Sequence, residues 1–444
     1  MWPLAHGIGS RSDLPVPLWL AQYGGAAALV ISFVILVAFW RLPRFEDPDA
    51  GRPLPGLLQR VVDAPLTRAL LRLLGLAMGA AVVLVAVLGP PNPATNPAPT
   101  WLYVWFWVGL VPASLLLGPV WRALNPLRTL TMVISRVAGD RDAELARPLP
   151  PGLGYWPAVA GLLAFVWLEL VYQNSALPLT VGWFLLAYGA ANLFAGALYG
   201  PAWHDRGDAF EVYSTLLGHL APVGRRSDGR LVLRNPLRGL SSLEDAPGLV
   251  AFVCALLGST AFDGLTRTQL WTNLTLTSGP LANALIGTAG LLAMVALVYG
   301  VYVLAVRASS RYLPRAQRQQ RNLLEARFVP SLLPIAVGYT IAHYFSLLLF
   351  QGQAGYILAS DPLGDGWNLF GTADWQIGYT VVSTATIALV QVAAIVTGHV
   401  LGVVVAHDRA VGTFPEKAKT DAQYPLLVVM VTYTTIGIAL LVGA

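Results

Sequence analysis

The sequence predicts an all-α fold: a polytopic transmembrane helical bundle of about ten spans, with both termini on the outer side. Three observations carry that expectation. Of 444 residues, 56% are hydrophobic and only 11% charged, whereas soluble globular chains carry roughly 25% charged residues. Apolar runs of about 20 residues, the length that crosses a bilayer core, recur along the whole chain, and mean hydropathy is +0.61. The basic residues between those runs fall on alternate loops.

The expected spans are 18–40, 73–89, 101–120, 155–175, 179–199, 248–266, 280–304, 329–351, 376–405 and 424–443, together one bundle over 18–443. Residues 1–17 lack the apolar stretch of a signal peptide and are expected to form a short outer leader. Proline breaks the chain between the second and third spans, in PPNPATNPAPT (90–100), because it cannot continue a helix. Cys254, the single cysteine, lies in an apolar run. It excludes an internal disulfide or a thiolate cluster and reads as a small core residue.

Orientation follows from charge. Of 28 basic residues, 26 lie on the five loops that follow the first, third, fifth, seventh and ninth spans; only Arg11 and Arg267 fall on the other side. Positive charge concentrates on cytoplasmic loops, so those five loops face inward. The net charge of +5 is therefore a topology signal and not a nucleic-acid footprint. The partners expected are the lipid bilayer and a small-molecule substrate, with no nucleic acid and with a partner protein in the membrane or on the outer side left open.

The inward loop 201–247 is expected to carry an interfacial helix. In HDRGDAFEVYSTLLGHLAP (204–222), Asp208 and Glu211 have capping-box spacing. Phe210, Tyr213, Leu216, Leu217 and Leu220 then recur as on a helix lying along the inner leaflet. The tetrapeptide NPLR occurs at 125–128 and 235–238, and asparagine followed by proline is a helix start. GPVW (118–121) and GPAW (200–203) each close a span, an echo equally explained by duplication or by chance.

Ionisable groups inside spans are costly and usually functional. Glu169, Asp263 and His343 lie 14 or 15 residues into helices running outward, about 20 Å from the inner surface at about 1.5 Å per residue. Two carboxylates and a histidine at one level suit a catalytic acid/base set, a proton relay or a divalent metal. Gln351, Gln353 and Asp361 are the polar groups a substrate entering from outside would meet. The plainer alternatives are an Asp263–Arg267 pair one turn apart, a wetted Glu169, and a His343 bonded to a neighbouring helix. His399 and His407, in GHVLGVVVAHDRA, extend the candidate metal set to His343, His399 and His407. Helix rise, however, puts His399 about 10 Å below His343, so a shared site or a bis-histidine haem needs tilt or a kink at Pro330 or Pro334. The outer loop 360–375, with Asp361, Asp365 and Asp374, reads as turns first and as a lid second. His204, Asp205, Asp208 and His219 could ligate a metal, although capping already accounts for that stretch. No P-loop, GxSxG, HExxH or GxGxxG element is present, which disfavours ATP-driven transport, serine-hydrolase and zincin chemistry.

Six stretches together resemble a family of bacterial integral membrane proteins commonly labelled fenitrothion hydrolase. They are HGIGSRSDLPVP (6–17), GPVWRALNPLRTL (118–130), GDAFEVYSTLLGHLAP (207–222), AHYFSLLLFQGQ (342–353), SDPLGDGWNLFGTADW (360–375) and GHVLGVVVAHDRA (398–410). The resemblance implies a multi-pass protein of the bacterial plasma (inner) membrane that hydrolyses an aryl phosphotriester or related ester. It carries no catalytic motif over, but it coincides with His343, His399 and His407. The first expectation is thus a hydrolase in which Glu169, Asp263 and His343 activate water, with a divalent metal as the one cofactor considered. The alternatives are a transporter using the same groups for proton or ion coupling, and a haem- or copper-binding membrane protein.

Overall fold

A computed structural model describes residues 17–139, 146–276, 279–315, 317 and 321–442. All but the last residue of the expected leader 1–17 lies outside these, as do Arg141 and Arg318. The helices in chain order are α1 (Leu18–Phe39), α2 (Gly56–Asp63), α3 (Pro65–Leu88), α4 (Ala98–Thr100), α5 (Leu110–Leu117), α6 (Val120–Leu124), α7 (Pro126–Val137), α8 (Trp156–Leu170), α9 (Pro178–Tyr199), α10 (Ala202–Arg206) and α11 (Ala209–Gly218). They continue with α12 (Pro236–Gly239), α13 (Leu249–Thr266), α14 (Gln269–Thr275), α15 (Pro280–Ser309), α16 (Arg321–Phe328), α17 (Leu332–Leu358), α18 (Thr384–Thr413) and α19 (Tyr424–Val442). Strands β1 (Arg52–Pro53), β2 (Val223–Arg225) and β3 (Leu231–Leu233) form one small antiparallel sheet in the order β1-β3-β2.

The chain is an all-α polytopic helical bundle. Among the described residues, nine helices are long and apolar enough to cross a membrane. Their surfaces fit a lipid solvent: Phe39, Trp183 and Leu281 are each at least 70% exposed, a burden that water would not tolerate over so many helices. The fourth expected span, 155–175, is α8 alone, at 15 residues or about 22 Å. It stops early because the backbone N–H groups of Val171 and Tyr172 both turn back to the Trp167 carbonyl, and a turn then leads to Pro178 at the start of α9. The expected 376–405 span also shifts. Ser383 caps α18 by accepting from the Thr386 N–H, and the helix continues to Thr413 because His407, Asp408 and Arg409 all find partners there. The third span, Ala98–Leu117, runs as π-helix over the aromatic stretch Trp101–Val108.

The contacts divide the chain into two units. The first comprises residues 1–48, 240–346 and 380–444. Here α1 turns one narrow stripe inward, Ala21, Gly25, Leu29, Phe33 and Leu36, against α18 and α19. By contrast α13 is buried along most of its length, packed on α15 and α19, so anything polar on it has no lipid or water to turn to. Helices α17 and α18 cross at glycine: a Cβ on Gly398 would meet the Pro334 carbonyl at 2.6 Å and Gly338 Cα at 3.0 Å. Close crossings through small residues suit membranes, where van der Waals contact does most of the holding.

The second unit comprises residues 49–239 and 347–379. Its core is aromatic: Phe165 and Phe210 lie 5.1 Å apart edge-to-face, and Trp107 stacks on Tyr213 at 4.6 Å. This overturns the interfacial reading of 204–222. Helix α11 is not a surface helix on the leaflet; nine of its ten residues are buried, packed against α5, α6 and α8. Its helical periodicity was real, but its polar positions are also inside. Both NPLR copies do start helices, Asn125 accepting from the Leu127 and Arg128 N–H groups and Asn235 from the Leu237 N–H.

Candidate functional site

Asp263 lies in the last full turn of α13 and His343 midway along α17, both inside the first unit. The structure brings these two together. His343 Nε2 and Asp263 Oδ2 are hydrogen-bonded, with the two residues 0% and 3% exposed. Arg267, just past the end of α13, reaches the same point: its Nη2 lies 3.1 Å from His343 Nε2 and 3.4 Å from Asp263 Oδ1. The expected Asp263–Arg267 pair therefore exists, and His343 joins it. The imidazole stacks on Tyr339 (centroids 6.1 Å, 19°) and meets Tyr344 edge-on at 4.7 Å. Its Nδ1 is buried without a hydrogen-bond partner.

This arrangement has a chemical consequence. A carboxylate only accepts hydrogen bonds and a guanidinium only donates. Nε2 can serve Asp263 if it carries the hydrogen, or Arg267 if it carries the lone pair. In the second case a neutral ring carries its hydrogen on Nδ1. The two arrangements differ by the position of one proton. Asp263 and Arg267 balance each other in charge, so a second proton on the ring is the only net charge the set must accommodate.

The other expected site residues each have their own surroundings. Glu169 is buried in the last turn of α8, in the second unit. Gln353 stitches the chain to residue 378, donating to the Leu349 and Gly378 carbonyls and accepting from the Gly378 N–H. Asp361 accepts the N–H groups of Asp365 and Gly366 and so builds its own turn. Gln351 is half-buried on α17. His407 has both nitrogens engaged, Nδ1 with Gln423 Oε1 and Nε2 with the Trp40 carbonyl, each at 2.9 Å. A ligating nitrogen must present a lone pair, so His407 is committed to structure and the metal set His343, His399 and His407 is not assembled. His399 donates from Nδ1 to the Ile395 carbonyl at 2.8 Å, while its buried Nε2 has no partner.

Among the described residues, the group that could offer three ligand atoms within 4.8 Å of one another is His204, Asp208 and Glu211, in the second unit. Their oxygens are already supplied with donors. Asn125 Nδ2 donates to Asp208 Oδ2 and Glu211 Oε2, each at 2.8 Å, and Tyr188 donates to Asp208 Oδ1 at 2.7 Å. Arg128 grips Glu211 through Nε and Nη2 and also reaches Asp205 at 2.8 Å. Thr131 lies 2.9 Å from His204 Nε2. Burial pushes the Asp208 carboxyl up, but hydrogen bonds from His204, Tyr188 and Asn125 outweigh it and hold the group below the ordinary carboxylate value. A cation would have to displace Asn125 and Arg128, so this is a buried ion network that ties α7, α9, α10 and α11 together. Asp208 caps α11 as the capping box requires, accepting from the Phe210 and Glu211 N–H groups, while the Glu211 carboxylate bonds Arg128 and not the Asp208 N–H. Asn125, Arg128 and Tyr188 were missed in the sequence; the signal was there in two acids needing buried donors and an NPLR arginine close by.

Compared with known proteins, the chain matches no family model, no curated protein and no solved structure. The fold defines its class, a multi-pass all-α membrane protein, and the site with the chemistry to act within that class is Asp263–His343–Arg267.

Proposed function

We propose that this chain is a proton-coupled transporter of the bacterial inner membrane, oriented N-out/C-out, with the Asp263–His343 pair as its proton carrier. The single observation behind this reading is the position of His343 Nε2 between an obligate acceptor and an obligate donor. Intramembrane ionisable groups that pair across helices mark proton pathways, and Arg267, with its side chain 24% exposed, joins the pair to water. Full burial of His343 suits a proton more than it suits a bulky ester. The membrane and the orientation rest on the family resemblance and on the bias of the basic residues.

Hydrolysis of an aryl phosphotriester is the second reading, favoured by one feature. An imidazole oriented at Nε2 by a carboxylate, with Nδ1 open, is a general-base arrangement. The arrangement consists of Asp263 and His343; Glu169 lies in the second unit.

Purified protein in nanodiscs, titrated against a pH indicator, tests the first reading. Wild type should exchange one proton more than Asp263→Asn or His343→Gln over the same range; superimposable curves would overturn it. Release of nitrophenol from an aryl phosphotriester, lost in His343→Gln, would establish the second reading instead.

A further inference from the structure

Five residues and a cavity of the first unit follow one another from Arg267 inward. Arg267 is the half-exposed end. Next come His343 and, stacked on it, Tyr339 at 6.1 Å. Tyr339 faces Tyr433 of α19 at 6.4 Å, and Tyr433 faces His399 of α18 at 5.9 Å. One helical turn beyond His399 and Tyr433, Val403 and Met430 line a small, mostly apolar cavity whose polar lining residues are Ser309 and Gln423, at the ends of their helices that the basic residues place inward.

What separates this column from ordinary aromatic packing is its polar atoms. The large majority of buried side-chain polar atoms find a hydrogen-bond partner. Yet His343 Nδ1, Tyr339 Oη and His399 Nε2 are all buried without one, and all three belong to the column. The Nδ1–H of His399 is fixed on the Ile395 carbonyl, so Nε2 carries the lone pair of the neutral ring. Tyr433 Oη donates to the Leu257 carbonyl at 3.0 Å, a bond it can exchange by rotating about its C–O bond.

We infer that Tyr339, Tyr433 and His399 form a relay linking the Asp263–His343 proton site to the inward cavity; this rests on the proton-carrier reading above. A proton entering from the cavity binds His399 Nε2 and leaves again from the same atom toward Tyr433. Tyr433 takes it on oxygen and gives up its own hydrogen toward Tyr339, which does the same toward His343 Nδ1. Each tyrosine gains and loses one proton and ends neutral, and His343 holds the net charge beside Asp263. The rings are in contact, with centroids 6.4 and 5.9 Å apart, and single waters held by the unpartnered atoms would carry the proton from one polar atom to the next.

Proton flux into phosphatidylethanolamine–phosphatidylglycerol vesicles tests the relay, with a pH dye in the lumen and a valinomycin potential as the driving force. Tyr339→Phe and Tyr433→Phe remove one oxygen each and keep the ring packing, and unchanged melting temperatures would certify the fold. Both, and His399→Gln, should slow the flux by about tenfold or more, the scale of a lost proton-transfer group. If all three conduct like wild type while Asp263→Asn is silent, the relay is overturned and the carrier stands. If Asp263→Asn conducts like wild type, the carrier reading itself fails. Wild-type flux no greater than that of protein-free vesicles would also overturn the relay.

Discussion

Gly338 and Gly398 meet backbone to backbone where α17 crosses α18: a Cβ on Gly338 would sit 2.9 Å from Gly398 Cα. That contact sets how close the helix carrying His343 comes to the helix carrying His399. Gly398→Val should force the crossing apart and destabilise the protein by about 1–3 kcal/mol, the usual cost of overpacking. Gly24→Ala, with open space around it, is the control. Thermal unfolding in detergent reads the difference.

Removing Arg267 leaves Asp263 buried without its cation. Breaking such a pair from one side typically costs about 3–5 kcal/mol, whereas removing both charges is often nearly neutral. Arg267→Ala should therefore melt well below wild type, and Asp263→Asn/Arg267→Ala should recover much of the loss. An additive double mutant would show that the 3.4 Å pair contributes nothing.

In the second unit, Asn125→Leu withdraws the amide that separates Asp208 from Glu211 and also removes the cap of α7. Two buried carboxylates left short of donors should cost about 2–4 kcal/mol. Limited proteolysis of the 126–137 segment would detect it, and wild-type resistance would argue against the network as a clamp.

The same network gives a pH dependence with a definite sign. Asp208 is held below its ordinary value, so the stability it contributes is present above its unfolded value of about 3.9. That stability is lost as pH falls through the lower folded value. Melting temperature should drop toward acid in wild type and drop less steeply in Asp208→Asn. Parallel curves would assign acid sensitivity to other carboxylates.

The bundle was legible from sequence because lipid imposes a coarse rule, apolar length, which runs such as Leu18–Phe39 satisfy without reference to any neighbour. Helix ends were less so. Ser383 and Asn125 cap visibly, but the early stop of α8 depends on backbone turns at the Trp167 carbonyl. The Asp263–His343 level was readable from helix rise, since both helices run the same way. Whether Glu169 joined them was not, because depth along a helix says nothing about which face or which unit it belongs to. Burial of α11 escaped for a related reason: periodicity identifies a helix, but a polar face can turn toward buried partners as readily as toward water.

The smallest element has a consequence for how the chain is made. Arg52 of β1 pairs with Leu233 of β3, about 180 residues later, and a ribosome adding about 5–20 residues per second takes roughly 10–40 s to reach it. During that interval three further helices of membrane-spanning length must be inserted while the segment after α1 waits without its partner strand. The Arg226 bond to the Gly51 carbonyl and the Ser227 bonds to Asp49 can close only then. Assembly of the second unit is thus a late event in biogenesis, and a chain truncated before residue 223 would reach the membrane with its first loop unpinned.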